Sequence, residues 1–284
     1  MNSFEKNITF VIVSFKSDHI IEKCIKSIKS NIKIIVVENS DNIHIKNNLE
    51  NKFSNVKVTI AKKNLGYGKG NNLGITKVNT KYVFILNPDT ILKKNCLDEL
   101  RRAENMLRGD FAILAPNLIN NFGYFLGQNN YYKKGLLEVD YVKGFAMLIN
   151  LKKVTFKKIF DENFFLFLEE IDLCKRIKII GGKIFVVQKS KVQHLGKKAS
   201  GDSLNIELCR NWHWMWSLFY FNYKHYGVFN AYRLVSVKFI LSVIKLFIAL
   251  ILFNKKFFLI HCYRLSGLLN AFLQRRAWLR PNKI

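Results

Sequence analysis

Three acids fall within four positions at the end of "FFLFLEEIDLCKR": Glu169, Glu170 and Asp172. A carboxylate beside apolar side chains is desolvated, and desolvation raises its pKa toward the range in which it accepts a proton from a hydroxyl group. The same acids also suit the first turn of a helix whose later turns carry Lys175, Arg176 and Lys178, an arrangement the helix macrodipole favours without any chemistry. Two further positions have ligand character. Asp89 follows the hydrophobic run of "FILNPDT", where an oxygen ligand for a hard cation such as Mg2+ or Mn2+ would sit at a strand end. His194, in "SKVQHLG", offers an imidazole just after the apolar run "KIFVVQ". Singly, Asp89 reads as a turn residue and His194 as a structural one; side by side they would make a two-ligand cation site.

The acids stand out because they are scarce. The 284 residues carry 46 Lys and Arg against 20 Asp and Glu, a formal net charge of +26. That balance points to an anionic partner: nucleic acid, an anionic membrane surface or a phosphate-bearing substrate. With 49% hydrophobic residues and 24 Phe, the chain can bury a sizeable core, which excludes a disordered polycation. Cys24, Cys96, Cys174, Cys209 and Cys262 are scattered and include no CxxC pair, as expected of reduced thiols. The apolar run in "MNSFEKNITFVIVSF" has Glu5 ahead of it and no small-residue cleavage site behind it, and reads as a buried strand, not a leader.

The elements that must position these groups follow from hydrophobic spacing. "ITFVIVSF" is a strand, and Asp18 then caps a helix whose Ile21, Cys24, Ile25 and Ile28 share one face. "IKIIVV", "VKVTI" and "KYVFIL" are further β-rich runs of the kind found in a sheet covered on both sides. Strand and helix alternate, so the spacing predicts an α/β domain with a largely parallel sheet and its ligand site beyond the carboxyl ends of the strands. Ser14, Glu38, Asp41 and Asp89 lie at or just after such ends. "NLGYGKGNN" reads as a glycine-rich, ligand-facing loop, although it has neither dinucleotide nor P-loop spacing.

Taken in order, "VVENSDN", "NLGYGKGNN", "LNPD" and "FDENFFLFLEEIDLCKR" with "QHLG" behind it resemble the family 2 glycosyltransferases of the GT-A fold, in particular their bacterial rhamnosyltransferase-like branch. The resemblance runs from about Asn7 to Ser200. It implies an α/β, GT-A type nucleotide-sugar-binding domain with a mostly parallel central sheet. It also implies an inverting transfer from a nucleotide-diphosphate sugar to a glycan or lipid-linked acceptor in surface polysaccharide assembly. Ser14, Glu38, Asn64, Gly66, Asn71 and Asn87 would contact the donor, with Glu38 standing where the family usually has Asp. Asp89 and His194 would hold Mg2+ or Mn2+. Glu170, the second member of a pair that is usually Glu-Asp, would be the base, with Glu169 and Asp172 as its rivals.

Glu207 is the last acid of the chain, and twelve Lys or Arg follow it. The charge shift divides the sequence into a catalytic domain, 1–207, and a helical basic region, 208–284. Within the latter, Trp212, Trp216, Phe219 and Tyr223 form a helical stripe suited to a core or interface. "LVSVKFILSVIKLFIALILF" (234–253) is long enough to cross a bilayer, but Lys238 and Lys245, with Ser242 between them, make a polar stripe that suits a helix lying in the interface. This places the protein in the cytoplasm, peripheral on an anionic membrane face. The competing readings are a nucleic-acid-binding protein, for which no signature motif is present, and an inactive glycosyltransferase-like fold.

Overall fold

A computed structural model describes residues 3–119, 130–133, 135–196 and 203–281. The chain divides into two compact units: an α/β unit of residues 1–161 and 169–200, and a helical unit of residues 162–168 and 201–284. The charge shift at Leu208 thus falls inside the first helix of the second unit.

The α/β unit begins with α1 (Ser3–Lys6), β1 (Ile8–Ser14), α2 (Asp18–Lys26), β2 (Lys33–Glu38), α3 (Ile43–Lys52), β3 (Val56–Ile60), α4 (Tyr67–Ile75), β4 (Tyr82–Leu86), β5 (Thr90–Leu92) and α5 (Cys96–Leu107). It continues with β6 (Ile113–Leu118), β7 (Asn130–Lys133), β8 (Leu136–Glu138), β9 (Ala146–Asn150), α6 (Glu169–Ile179) and β10 (Ile184–His194). The sheet order is β3-β2-β1-β4-β9-β6-β10-β8-β7, with β5 paired to β10 off that path. β3, β2, β1 and β4 are mutually parallel, β9 is antiparallel to β4 and β6, and β6 and β10 are parallel again. Every residue of β1, β4 and β9 is buried, which explains why their sequences are continuous apolar runs instead of alternating ones.

Two local expectations change. Ser17, not Asp18, holds the cap position of α2; Asp18 is the first helical residue and accepts a hydrogen bond from Asn42 Nδ2 at 2.8 Å. The glycine-rich stretch is also mostly helix, since α4 starts at Tyr67. Glycine is a poor helix former, but α4 lies against β1, and a Cβ on Gly74 would come within 2.4 Å of Val11 Cγ1. These glycines serve close helix–sheet packing. Only Gly66, with φ of 80°, uses a backbone conformation that other residues avoid.

The helical unit holds α7 (Leu204–Ile251) and α8 (Lys255–Phe272). Gly227, at φ 81° and ψ 169°, interrupts α7, which is therefore two arms that meet there. Ser203 Oγ caps the first arm and Asn254 Oδ1 caps α8. Trp212, Met215, Trp216 and Phe219 of the first arm pack with Ala231 and Val235 of the second and with Leu268 and Ala271 of α8. Tyr223, the fourth residue of the expected stripe, is exposed. Close packing of α8 on the first arm requires Gly267, where a Cβ would lie 2.3 Å from Trp212 O.

Val235, Ser242 and Ala249, seven apart, are buried together, so Ser242 faces inward and does not line an outer polar stripe with Lys238 and Lys245, which are exposed. The outer surface of the second arm is apolar instead, with Val237, Ile240, Ile244, Phe247 and Ile251 all exposed. By length and composition α7 is able to cross a membrane, and its most apolar stretch has a mean hydropathy of 2.4 with only 17% of it buried. All five cysteines are free thiols.

Candidate active site

The candidate residues collect where β1, β2 and β4 end. Ser14 and Glu38 are directly paired at the ends of β1 and β2. Glu38 is fully buried and accepts hydrogen bonds from the amide and hydroxyl of Ser40, the former at 2.6 Å, while its Oε2 has no partner. Burial raises the Glu38 carboxyl above its ordinary value, and the Ser40 hydrogen bonds oppose the rise. Next to it, Asn39 fixes the turn into α4: its Nδ2 donates to Gly66 O at 3.0 Å and its Oδ1 accepts from Leu65 N at 3.4 Å. Asn64 Oδ1 accepts from Gly66 N at 3.0 Å. Asn71 is buried in α4 with its Oδ1 unpartnered.

Asn87, Pro88, Asp89 and Thr90 form a tight turn closed by Thr90 N donating to Asn87 O at 3.1 Å, with Pro88 where a fixed φ helps most. The turn leads into β5, whose antiparallel register with β10 sets Thr90 opposite His194, and Leu195 N continues the ladder to Asp89 O at 2.9 Å. Residues 105 apart in sequence thereby meet, with His194 Nε2 3.2 Å from Asp89 Oδ1. The approach lacks the alignment of a hydrogen bond, so that oxygen, on a side chain 2% exposed, keeps no donor. The His194 ring is also stacked on Phe145 with centroids 4.4 Å apart. Asn87 Oδ1 and Thr90 Oγ1 are likewise buried and unpartnered.

Glu169 and Glu170 open α6. Glu169 is 3% exposed with Oε2 unpartnered, and it packs with Phe160 against Gly68 of α4. The "FFLFL" run lies in residues 162–168, which belong to the helical unit. Glu170 is partly open to solvent and lies against Gly144. Burial, then the charge of Glu170, holds the Glu169 carboxyl well above the ordinary range, whereas Lys143 and backbone amides temper the rise that burial causes at Glu170. The Tyr67 phenol, raised by burial and by the charges of Glu169, Glu170 and Asp89, stays protonated and donates to Gly144 O at 2.5 Å. Asp172 differs from both: its Oδ2 accepts from Arg176 Nε at 2.8 Å, and Arg176 also binds Ile159 O and stacks on Phe156. That is the arrangement of a helix-anchoring ion pair.

The folded chain holds the Glu169 proton more tightly than the unfolded chain does. The stability linked to that proton is fully present below the unfolded value of about 4.3 and is lost as pH rises through the raised folded value. Glu169→Gln removes this loss. Thermal unfolding is expected to show a midpoint a few degrees above wild type at pH 7, about 1 kcal/mol being worth roughly 2–4 °C for a domain of this size, and no gain at pH 4.

Ser14, Glu38 and Asp89, expected at or just after strand ends, lie there in the structure, and Asp89 meets His194. Asn39, Ser40, Tyr67, Lys143 and Phe145 were not expected from the sequence. Asn39 and Ser40 sit inside "VVENSDN", and their place directly after a buried strand was the available signal.

The mostly parallel, helix-flanked sheet has the GT-A fold, as its likeness to the solved glycosyltransferases below shows. The family model of glycosyl transferase family 2 matches residues 9–165, more than half of the chain, and the protein belongs to that family. Among curated relatives, it is 28% identical to the low-salt glycan biosynthesis hexosyltransferase Agl10 of Haloferax volcanii, over 40% of this chain and 44% of that protein. It is 24% identical to the rhamnosyltransferase WbbL of Escherichia coli K12, over 43% of this chain and 58% of that protein. The match therefore spans about half the length of these relatives. Among solved structures, GalNAc-T7 with UDP, GalNAc and Mn2+ superposes with a TM-score of 0.56 at 16% identity, covering 78% of this chain and 49% of the other. TarS 1–349 of S. aureus in complex with UDP gives 0.54 at 14% identity, covering 94% and 90%. These likenesses concern the fold.

Proposed function

We propose that the protein is a metal-dependent, inverting glycosyltransferase that moves a hexosyl or rhamnosyl group from a nucleotide-diphosphate sugar to an acceptor hydroxyl in surface polysaccharide assembly. The observation that carries the reading is the set of buried, unpartnered oxygens of Ser14, Glu38, Asn87 and Asp89 at or just after strand ends, with those of Asn71 in α4 and Glu169 at the start of α6. Buried polar atoms without partners are costly in a finished core and are expected where a polar ligand completes them. Glu38, Ser14 and the Asn39-fixed turn would receive the nucleoside.

Asp89 and His194 fit Mg2+ or Mn2+: an oxygen with no donor and an imidazole nitrogen converge without bonding each other. Among the described residues no third His, Cys, Asp or Glu joins them, which suits an ion whose remaining ligands are diphosphate oxygens and water. When bound, such an ion offsets the charge that grows on the departing diphosphate. Glu170, the more accessible and less perturbed of the pair, would take the proton from the acceptor hydroxyl as its oxygen attacks the anomeric carbon opposite the diphosphate. Glu169, held protonated, would orient the site without competing for that proton.

Turnover of a panel of UDP-, dTDP- and GDP-sugars tests this reading. One donor class is expected to be consumed, with the product anomer inverted; binding to nucleic acid with no donor consumed would defeat it.

The helical unit would bind an anionic membrane surface through the apolar outer face of the second arm, with the exposed Lys238 and Lys245 on the same arm, each basic residue near such a surface being worth about 1 kcal/mol. The full chain is expected to float with vesicles containing anionic lipid, to release in alkaline carbonate, and to lose flotation when Ile240 and Phe247 are both changed to Glu. Retention after carbonate would instead indicate a span.

A further inference from the structure

Within the helical unit, the packing between α8 and the second arm of α7 changes character along its length. Val235 on that arm and Leu268 and Ala271 on α8 belong to one buried apolar cluster. Seven residues along each helix, toward the connection at 252–254, the same stripe carries Ser242, His261 and Arg264. Ser242 and His261 are buried, the latter at 2% exposed, and Arg264 is partly buried. The apolar core thus gives way to a polar end.

That end is basic and lacks a countercharge. His261 Nδ1 is buried with no partner, and Phe257 packs edge-on against the ring at 4.6 Å. Arg264 Nε donates to Asn211 Oδ1 of the first arm at 2.8 Å, which fixes the guanidinium and leaves its two terminal nitrogens unbonded among the described residues. Burial, then the charges of Arg264 and Lys245, holds His261 below its ordinary pKa, so the three groups share one neighbourhood. No Asp or Glu follows Glu207 in the chain, and Glu207 is itself paired with Lys256 at 2.8 Å. Like charges beside an unpartnered buried nitrogen are costly in a finished core, and a bound anion offsets that cost.

The surroundings indicate which anion. Leu241, Ile244 and Ile248, each within one turn of Lys245 on the same arm, are all exposed. A small free anion would leave this flank bare, whereas one carried on a hydrocarbon chain would cover it. The guanidinium fork, for its part, matches the oxygens of a phosphate.

We propose that Lys245, His261 and Arg264 form a binding site for the phosphate group of a lipid, whose hydrocarbon chain lies along Leu241, Ile244 and Ile248. This rests on the reading that the helical unit meets a membrane, and it turns that contact from general attraction into recognition of one headgroup chemistry.

Calorimetry on the full chain, with dihexanoyl phosphatidic acid below its micelle concentration, tests the site apart from any bilayer. Phosphatidic acid is expected to bind, and hexanoate and inorganic phosphate to bind about 10-fold more weakly or less, the first lacking the phosphate and the second the chain. Arg264→Gln weakens phosphatidic acid binding about 10- to 100-fold, the worth of one hydrogen bond to a charged group. Lys245→Gln, at an exposed position, costs about fivefold, and Lys238→Gln, exposed one heptad earlier on the same arm, leaves the affinity unchanged. No binding of phosphatidic acid, equal binding of hexanoate, or unchanged affinity in folded Arg264→Gln and Lys245→Gln proteins overturns the site. Inorganic phosphate bound as tightly as phosphatidic acid, with the same dependence on Arg264, overturns the lipid as its source. Failure of the membrane reading shows separately, as no flotation of the wild-type chain with phosphatidylcholine vesicles containing phosphatidylserine.

Discussion

Glu170→Gln is expected to lower turnover by about 10²–10⁴-fold, the usual cost of removing a general base, with donor affinity within about twofold of wild type. The substitution keeps the shape that packs against Gly144 and removes only the ability to take a proton. Because burial raises the Glu170 carboxyl above 4.5, the wild-type rate falls on the acidic side at a pH higher than an exposed carboxylate would give, and the glutamine variant loses that limb. Glu169→Gln is expected to have a smaller kinetic effect, since burial already favours the protonated form of the wild-type group. Steady-state kinetics across pH, with donor binding measured by calorimetry, decides between them. A larger turnover loss in Glu169→Gln, with donor binding intact, moves the base to Glu169.

Chelation with EDTA is expected to abolish transfer, and Mn2+ or Mg2+ to restore it. Asp89→Asn reproduces the chelated state, costing about 10²–10³-fold, as when one stabiliser of developing charge is removed. It also weakens donor binding and makes what activity remains insensitive to added metal. The amide keeps the size of the carboxylate and leaves the backbone bond from Leu195 N to Asp89 O in place, so fold stability changes little. His194→Ala follows the same direction with a smaller loss, since Asp89 supplies the charge. Full activity in a metal-free preparation would refute this role of Asp89.

The strands were legible because β1, β2 and β4 are buried on both sides, and burial of that kind leaves long β-branched and aromatic runs in the sequence. Asp89 and His194 were legible as strand-end residues, but their meeting was not, since β5 is three residues long and nothing local to "DTIL" announces its pairing with β10. The glycine-rich stretch misled because glycine's permissive backbone and its small volume are indistinguishable in a sequence. Here volume decides at Gly74, where Val11 leaves no room for a Cβ. The packing of Glu169 beside Phe160 and Gly68 was not legible, because Gly68 comes from a distant part of the chain. Ser242 read as part of an outer polar stripe because the period places it near Lys238 and Lys245, whereas only tertiary structure reveals which edge of a stripe is covered.

The pairing of β10 carries a consequence for how this chain can change over evolutionary time. Its ladder with β6 shifts register between Val187 and Lys191, and only beyond that irregularity does it run beside β5 to bring His194 opposite Thr90. Alternation along a strand has a period of two, so deleting one residue from Gln188–Ser190 would turn the imidazole to the other face of the sheet while leaving the buried half of β10, Ile184–Val187, undisturbed. A lineage could part His194 from Asp89 there by a single in-frame deletion, whereas substitutions at Gln188 and Lys189 would be read mainly as surface variation, Ser190 being buried and bonded to Cys96 O.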